Sequence, residues 1–159
     1  MRYSNKAFTL VEILIVVIIL GILAAIVVPQ FNTASYSARE TTAMTDLRDL
    51  RSQLQLYFAQ HNGTYPTDFS NQMAMCTDVL GNTNVGFTST YRFGPYMVRV
   101  PQNPFTTVST VTTVTGVATA YSPAADLNQG WWYNSTTAEI RCHVPDSLLA
   151  ADGRQVNQL

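Results

Sequence analysis

Positions 8–28 read FTLVEILIVVIILGILAAIVV, an apolar run whose one formal charge is Glu12. As a helix rising 1.5 Å per residue it would span about the 30 Å hydrocarbon core of a bilayer, so the pattern predicts a membrane-spanning helix. Beyond Pro29 the apolar residues become periodic. Ala43, Leu47, Leu50, Leu54, Tyr57 and Phe58 recur at three- and four-residue spacings, which puts them on one stripe, while Arg48, Asp49 and Gln60 fall away from it. This is the pattern of an amphipathic helix that packs its stripe on something C-terminal. It stops at His61-Asn62-Gly63, where asparagine or glycine supplies a left-handed cap, with Pro66 just after. A helix continuous from 8 to about 60 would be roughly 80 Å long, more than a small domain can fold back on itself.

The pattern then shortens. Residues 62–104 are rich in turn formers such as Tyr65-Pro66-Thr67-Asp68 and Phe93-Gly94-Pro95-Tyr96, with a helical turn expected over 72–80 and a short strand over 96–100. Residues 106–121 are a Thr/Val run broken by Gly116, the composition of a twisted hairpin or an edge pair. Strands are expected at Gly130-Trp131-Trp132-Tyr133 and over 138–144, joined by the turn-rich Asn134-Ser135-Thr136-Thr137. The fold class predicted is α+β: a long N-terminal helix, half membrane-spanning and half amphipathic, packed on a small antiparallel sheet. The organisation predicted is a leader over 1–7, a membrane helix over 8–30 and one globular domain over 31–159. Within that domain the amphipathic helix takes 31–61, the loop region 62–104, the sheet region 105–145 and a tail 146–159.

The N-terminus sets orientation. Arg2 and Lys6 are the only charges before the apolar run, and basic residues beside a span stay cytoplasmic, which places the rest of the chain across the membrane. An ordinary secretory signal peptide fits less well. Its apolar core is shorter, and Ile22 and Leu23 stand where small residues should precede a cut after Ala24 or Ala25. A simple anchor has no use for Glu12: an acid within a span costs about 2.5–3.5 kcal/mol on insertion scales and marks a functional position. Gly21 and Pro29 weaken the same helix, the proline by removing the donor to the Ala25 carbonyl.

Lys6-Ala7-Phe8-Thr9-Leu10-Val11-Glu12, followed by an apolar run with Gly21 and Pro29, resembles the prepilin signature of type IV pilins and type II secretion pseudopilins. The resemblance implies cleavage between Ala7 and Phe8 by a membrane prepilin peptidase, N-methylation of Phe8, and polymerisation into a filament in which the segment from Gly21 to Pro29 kinks or melts. Ala7 stands where the family usually has glycine. Cleavage would create an amino group with an ordinary pKa of about 7.7–8, four residues before Glu12. A buried carboxylate needs a partner, and the terminal ammonium of a neighbouring subunit would compensate Glu12 and set axial register. Leu50-Arg51-Ser52-Gln53-Leu54-Gln55-Leu56-Tyr57, His61-Asn62-Gly63-Thr64-Tyr65-Pro66-Thr67 and Gly130-Trp131-Trp132-Tyr133-Asn134 are similar to major type II pseudopilins. Asn103-Pro104-Phe105 departs from the family's usual Asp-Pro-Trp-Gly. The implied role is a subunit of a secretion pseudopilus in a bacterial inner membrane, single-pass with its N-terminus cytoplasmic. Its implied partners are further copies of itself, minor pseudopilins, the peptidase and methyltransferase, an inner-membrane assembly platform and the lipid bilayer. A type IV pilus subunit for adhesion, motility or DNA uptake, and a monomeric membrane-anchored binding domain, are the alternatives.

The remaining chemistry is sparse. Cys76 and Cys142 are the only cysteines, and an oxidising exported compartment favours a disulfide between them, with reduced core thiols as the alternative. The family often holds calcium in a C-terminal loop; here Asp126, Asn128, Asp146 and Asp152 are available but scattered, and no ligand set follows. His61, Cys76, Cys142 and His143 lack compact zinc spacing. The sequons at Asn62 and Asn134 read as turn chemistry. Asp46, Arg48, Asp49 and Arg51 read as solvated charges, with salt bridges between subunits as the alternative. A net charge of −1 without basic clusters excludes a nucleic-acid-binding balance. No nucleophile motif or phosphate loop suggests an enzyme.

Overall fold

The computed structural model describes residues 8–117, 121 and 128–144. The leader 1–7, the tail 146–159 and Asp126, Asp146 and Asp152 lie outside the described residues. The chain divides into two compact units, Met1–Ala38 and Arg39–Leu159. Helix α1, Leu10–Gln60, contributes to both. In the single chain it runs as helix through Gly21 and Pro29, and the kinking or melting expected of that segment belongs to the assembled filament. A proline deletes only one intrahelical donor, and the rest of the ladder continues on either side of it.

In the second unit the predicted stripe is the buried one: Ala43, Leu47, Leu50, Leu54 and Tyr57 are all buried. Phe58 lies only half-buried, against the Tyr65 ring at 4.5 Å. Gln60 turns toward the domain because its Oε1 accepts a hydrogen bond from the Tyr96 hydroxyl at 2.7 Å. The helix ends as expected, with Asn62 and Gly63 at φ 54° and 77° and the Gly63 amide donating to the Phe58 carbonyl at 3.0 Å. Helix α2, Phe69–Ala74, starts three residues earlier than the turn expected over 72–80. Asp68 caps it by accepting from the Asn71 amide at 3.2 Å, while Gln72 Oε1 accepts from the Asp68 amide at 2.9 Å. Cys76–Thr77 leaves the helix to form strand β1, antiparallel to β2, Thr83–Asn84. No strand forms over 96–100, because the Tyr96 and Met97 amides both donate to the Met73 carbonyl, at 3.0 and 3.1 Å, rather than to a ladder.

The three-stranded sheet runs in the order β3 (Val111–Val114), β4 (Trp131–Asn134), β5 (Ile140–Cys142). The β4–β5 pair is antiparallel, in register Trp131 with Cys142 and Tyr133 with Ile140. The turn between them is built by Asn134, whose Oδ1 accepts from the Thr136 and Thr137 amides at 2.9 and 3.2 Å. The expectation for 106–121 needs correction: it contributes one described strand, not a hairpin, and β3 pairs parallel to β4, Val111 beside Trp131. The connection 115–130 exceeds the dozen or so residues that a parallel crossover needs, and Gly116 at φ 106° ends β3. The fold remains α+β, with a mixed sheet in place of a purely antiparallel one.

Alternation along β4 and β5 sends Trp131, Tyr133, Ile140, Cys142 and Val144 into one core with the α1 stripe, Phe69 and Met73. Gly130 precedes β4 where a Cβ would stand 2.2 Å from the Val108 carbonyl oxygen, so only glycine fits. Asn103, fully buried, ties three segments together. Its Nδ2 donates to the carbonyls of Gly130 and His143 at 2.6 and 2.8 Å, and its Oδ1 accepts from the Phe105 amide at 2.9 Å. The expected disulfide is not formed: Cys76 and Cys142 are free, buried thiols. Each is absorbed locally, Cys76 in the β1 ladder and Cys142 in the core beside Trp131.

Candidate assembly site

The first unit concentrates its chemistry in one turn. Between 8 and 38 the only charged residue is Glu12, in the first turn of α1. Thr9 and Glu12 form a reciprocal cap. The Glu12 amide donates to Thr9 Oγ1 at 3.2 Å, and Glu12 Oε2 accepts from both the Thr9 amide and the Thr9 hydroxyl at 3.3 Å. Helical bonding begins there, with the Ile13 amide on the Thr9 carbonyl at 3.4 Å. Two otherwise orphaned amides are satisfied, and the carboxylate sits at the positive end of the helix dipole, which favours it by about 0.3–1 kcal/mol. Among the described residues, the bonds to the Glu12 carboxylate fall on Oε2. Phe8 precedes the cap, outside the helix and 78% exposed.

Above this turn the helix offers no polar face. From Leu10 to Val28 its leucine, isoleucine and valine side chains are exposed on every side. A helix apolar all round is stable only when a membrane or other helices cover it. Gly21 has nothing within 4 Å of where a Cβ would lie, so close packing inside this chain does not require glycine.

Glu12, Gly21 and Pro29 lie along α1 and Phe8 stands two residues before it; Ala7 lies outside the described residues. Thr9 is the participant that the prediction left out, although Thr9-Leu10-Val11-Glu12 is itself a capping-box pattern. In the second unit, Arg48 and Asp49 are exposed as expected. Arg51, exposed as well, donates to the Ile140 carbonyl at 3.3 Å, and burial, helped by nearby Asp49, raises the Asp46 carboxyl above its ordinary value. His61 stacks on the Tyr57 ring at 3.7 Å. Its Nδ1 donates to the Tyr57 carbonyl at 2.8 Å and its Nε2 accepts from the Thr77 hydroxyl at 2.9 Å, so both ring nitrogens serve the fold. Among the described residues no three His, Cys, Asp or Glu side chains cluster as metal ligands.

Residues 2–28 match the family model for the prokaryotic N-terminal methylation motif. Beyond the motif, the chain is 36% identical over 104 residues to type II secretion system core protein G of Aeromonas hydrophila, covering 65% of this chain and 70% of that protein. Core protein G of Pseudomonas aeruginosa is 33% identical over 104 residues, with the same shares covered. The chain belongs to the type II secretion core protein G family. Likeness to the type IV major pilin protein PilA of Myxococcus xanthus is narrower, 34% identity over 74 residues, which is 46% of this chain and 33% of the pilin. No solved structure matches the chain. For a core protein G the Thr9–Glu12 cap lies inside the methylation motif, whereas the alignment of 104 residues is too long for the motif alone to supply.

Proposed function

We propose that this core protein G is the major structural subunit of a type II secretion pseudopilus. It is held in a bacterial inner membrane by 8–30 with its N-terminus cytoplasmic, cut between Ala7 and Phe8, methylated on Phe8 and polymerised into the filament that drives protein export. The observation that carries this reading is α1 itself: from Leu10 to Val28 an apolar helix surface left uncovered among the described residues, opened by one capped acid. Lipid covers that surface before assembly, and neighbouring helices cover it afterwards.

Glu12 has a defined task in this scheme. Its Oε2 is held by Thr9, and its Oε1 receives the Phe8 ammonium of the adjacent subunit, which compensates the charge and fixes the axial step. Gly21 and Pro29 form the soft segment that kinks or extends on assembly. The prepilin peptidase and methyltransferase, minor pseudopilins and an inner-membrane platform are the partners, and the role is structural rather than catalytic. Mass spectrometry of the mature N-terminus tests the processing: methylated Phe8 as first residue is expected, and a chain beginning at Met1 overturns it. Filaments sheared from cells should disappear on Glu12→Ala substitution; unchanged yield removes the register role.

A further inference from the structure

One dipeptide in the globular unit is chemically labile and has no part in the assembly scheme. Of the chain's asparagines only Asn62 is followed by glycine, in His61-Asn62-Gly63-Thr64. An asparagine side chain is open to attack by the amide nitrogen of the next residue. The Gly63 nitrogen forms a bond to Asn62 Cγ, the Cγ–Nδ2 bond breaks, and ammonia leaves with the proton that the Gly63 amide gives up. Water then opens the cyclic imide at either of its carbonyls, which leaves aspartate or isoaspartate at position 62. The reaction needs only water, and a following glycine hinders ring closure least because it has no Cβ.

In the folded unit the obstruction lies at the attacking atom. The Gly63 amide donates to the Phe58 carbonyl at 3.0 Å, which holds its proton and turns the nitrogen into the end of α1. Asn62 and Gly63 both lie in the left-handed region, at φ 54° and 77°. Closing the imide requires rotation about ψ of Asn62, and that rotation breaks the Gly63–Phe58 bond. Thr64 pins the same turn from its other side, its amide and hydroxyl donating to the His61 carbonyl at 3.1 and 2.6 Å. The Asn62 side chain itself is exposed to the water that completes the reaction. Asn134, followed by Ser135, is protected twice over: it is buried, its Oδ1 accepts from two amides, and the Ser135 amide donates to the Val114 carbonyl at 2.9 Å.

We infer that Asn62 is a spontaneous deamidation site which the cap of α1 holds latent, so that its conversion marks subunits whose cap has opened. Neither product restores the cap. Isoaspartate adds a backbone methylene inside the left-handed turn. Aspartate places a negative charge at the carbonyl end of α1, where the helix dipole disfavours it and the last turn carries no basic residue to offset it. One opening is thereby recorded in the covalent structure as a weaker cap, which opens again more readily.

The test holds the full chain in detergent micelles at mildly alkaline pH in heavy-oxygen water, either folded or in urea. After tryptic digestion in ordinary water, mass spectrometry locates the heavy oxygen within peptide 52–92. Asn62 should convert at least tenfold faster in urea than in the folded chain, and in urea ahead of Asn71, Asn82 and Asn84 of the same peptide. Equal rates in the two states, or faster conversion at any of those three, overturn the proposal. Thr64→Val removes the hydroxyl that pins the turn and should speed conversion in the folded chain while leaving the rate in urea unchanged; a folded rate equal to the parent's overturns gating by the cap. Asn62→Asp should lower the melting temperature, and a value at or above the parent's overturns the weakening assigned to the product.

Discussion

Replacing Asn103 by aspartate isolates one buried polar junction without opening a cavity. Asn103 donates twice, to the Gly130 and His143 carbonyls, and accepts once, from the Phe105 amide. Asn103→Asp retains the acceptor and turns the double donor into a second acceptor facing two carbonyl oxygens. The Gly130 carbonyl keeps the His143 amide at 3.0 Å, so the cost lies in an introduced acceptor left without a donor, about 1–3 kcal/mol and more once it is charged. A domain of this size has only about 5–15 kcal/mol in total. The penalty should depend on pH. Burial and the facing carbonyls raise the folded-state pKa of the introduced carboxyl above its unfolded value of about 3.9. Protonation restores one donor, so the variant recovers part of its stability as pH falls through that raised value and is weakest near neutrality. Urea unfolding of the detergent-solubilised chain, followed by tryptophan fluorescence, reads the loss directly, since Trp131 and Trp132 are both buried in β4 beside Gly130. A neutral-pH stability within about 1 kcal/mol of the parent, or a deficit that grows on acidification, would refute the reasoning. The same geometry accounts for asparagine where the resembled family usually carries aspartate: two carbonyls here require an amide.

Leu47→Ala, in the centre of the buried stripe, should cost about 2–5 kcal/mol in the same unfolding assay; a loss below 1 kcal/mol would mean that the stripe is not packed as described. Thr9→Ala should weaken the start of α1 by about 0.5–2 kcal/mol and speed amide exchange over 10–13 in micelles, with Thr9→Ser close to the parent; equal exchange in all three counts against the cap. Gly21→Ala meets no neighbour and should firm the helix by about 1 kcal/mol, slowing exchange around position 21 while lowering filament yield if that segment must open. Burial pushes the Cys142 thiol up to about 12, and burial, with Tyr96 and Asp78, pushes the Tyr57 hydroxyl up to about 12. Their unfolded forms ionise near 9 and 10, so this contribution is complete below pH 9 and disappears as pH climbs toward 12. Melting temperature should fall across that window, and neither thiol should react with an alkylating reagent until the chain unfolds; a flat profile or rapid native labelling contradicts the burial.

Local rules were readable along the chain, and pairings across it were not. The stripe from Ala43 to Tyr57 follows from helical period alone, and the stop at Asn62-Gly63 follows from left-handed backbone preference. The β4–β5 hairpin was legible because its turn residues lie between its strands. The parallel partner of β3 was not, since a Thr/Val run fits either direction and the choice depends on a strand many residues later. Gln60 looked like a surface residue by spacing; a distant tyrosine hydroxyl draws it to the domain, while Arg51 stays exposed and reaches a distant carbonyl. The cysteine pairing failed for a related reason. Two thiols in one compartment say nothing about which strands carry them, and each entered a different part of the packing. At the assembly site, Glu12, Gly21 and Pro29 stood out because each breaks the rule of an otherwise apolar helix, and Phe8 through the resemblance to the prepilin signature. Thr9 broke no such rule and was missed.

The stripe on α1 is synthesised first and buried last. Leu47, Leu50 and Leu54 share their core with Trp131, Tyr133 and Ile140, which leave the ribosome only after most of the intervening chain. At about 5–20 residues per second, that interval is on the order of ten seconds. Through most of it the nascent chain displays a leucine-rich helix face next to an even more apolar anchor, with only Phe69, Met73 and then Tyr96 of its core partners made. The subunit is therefore most exposed to aggregation during its own birth, and prompt handover of the nascent anchor to the membrane matters as much for its yield as the stability of the finished domain.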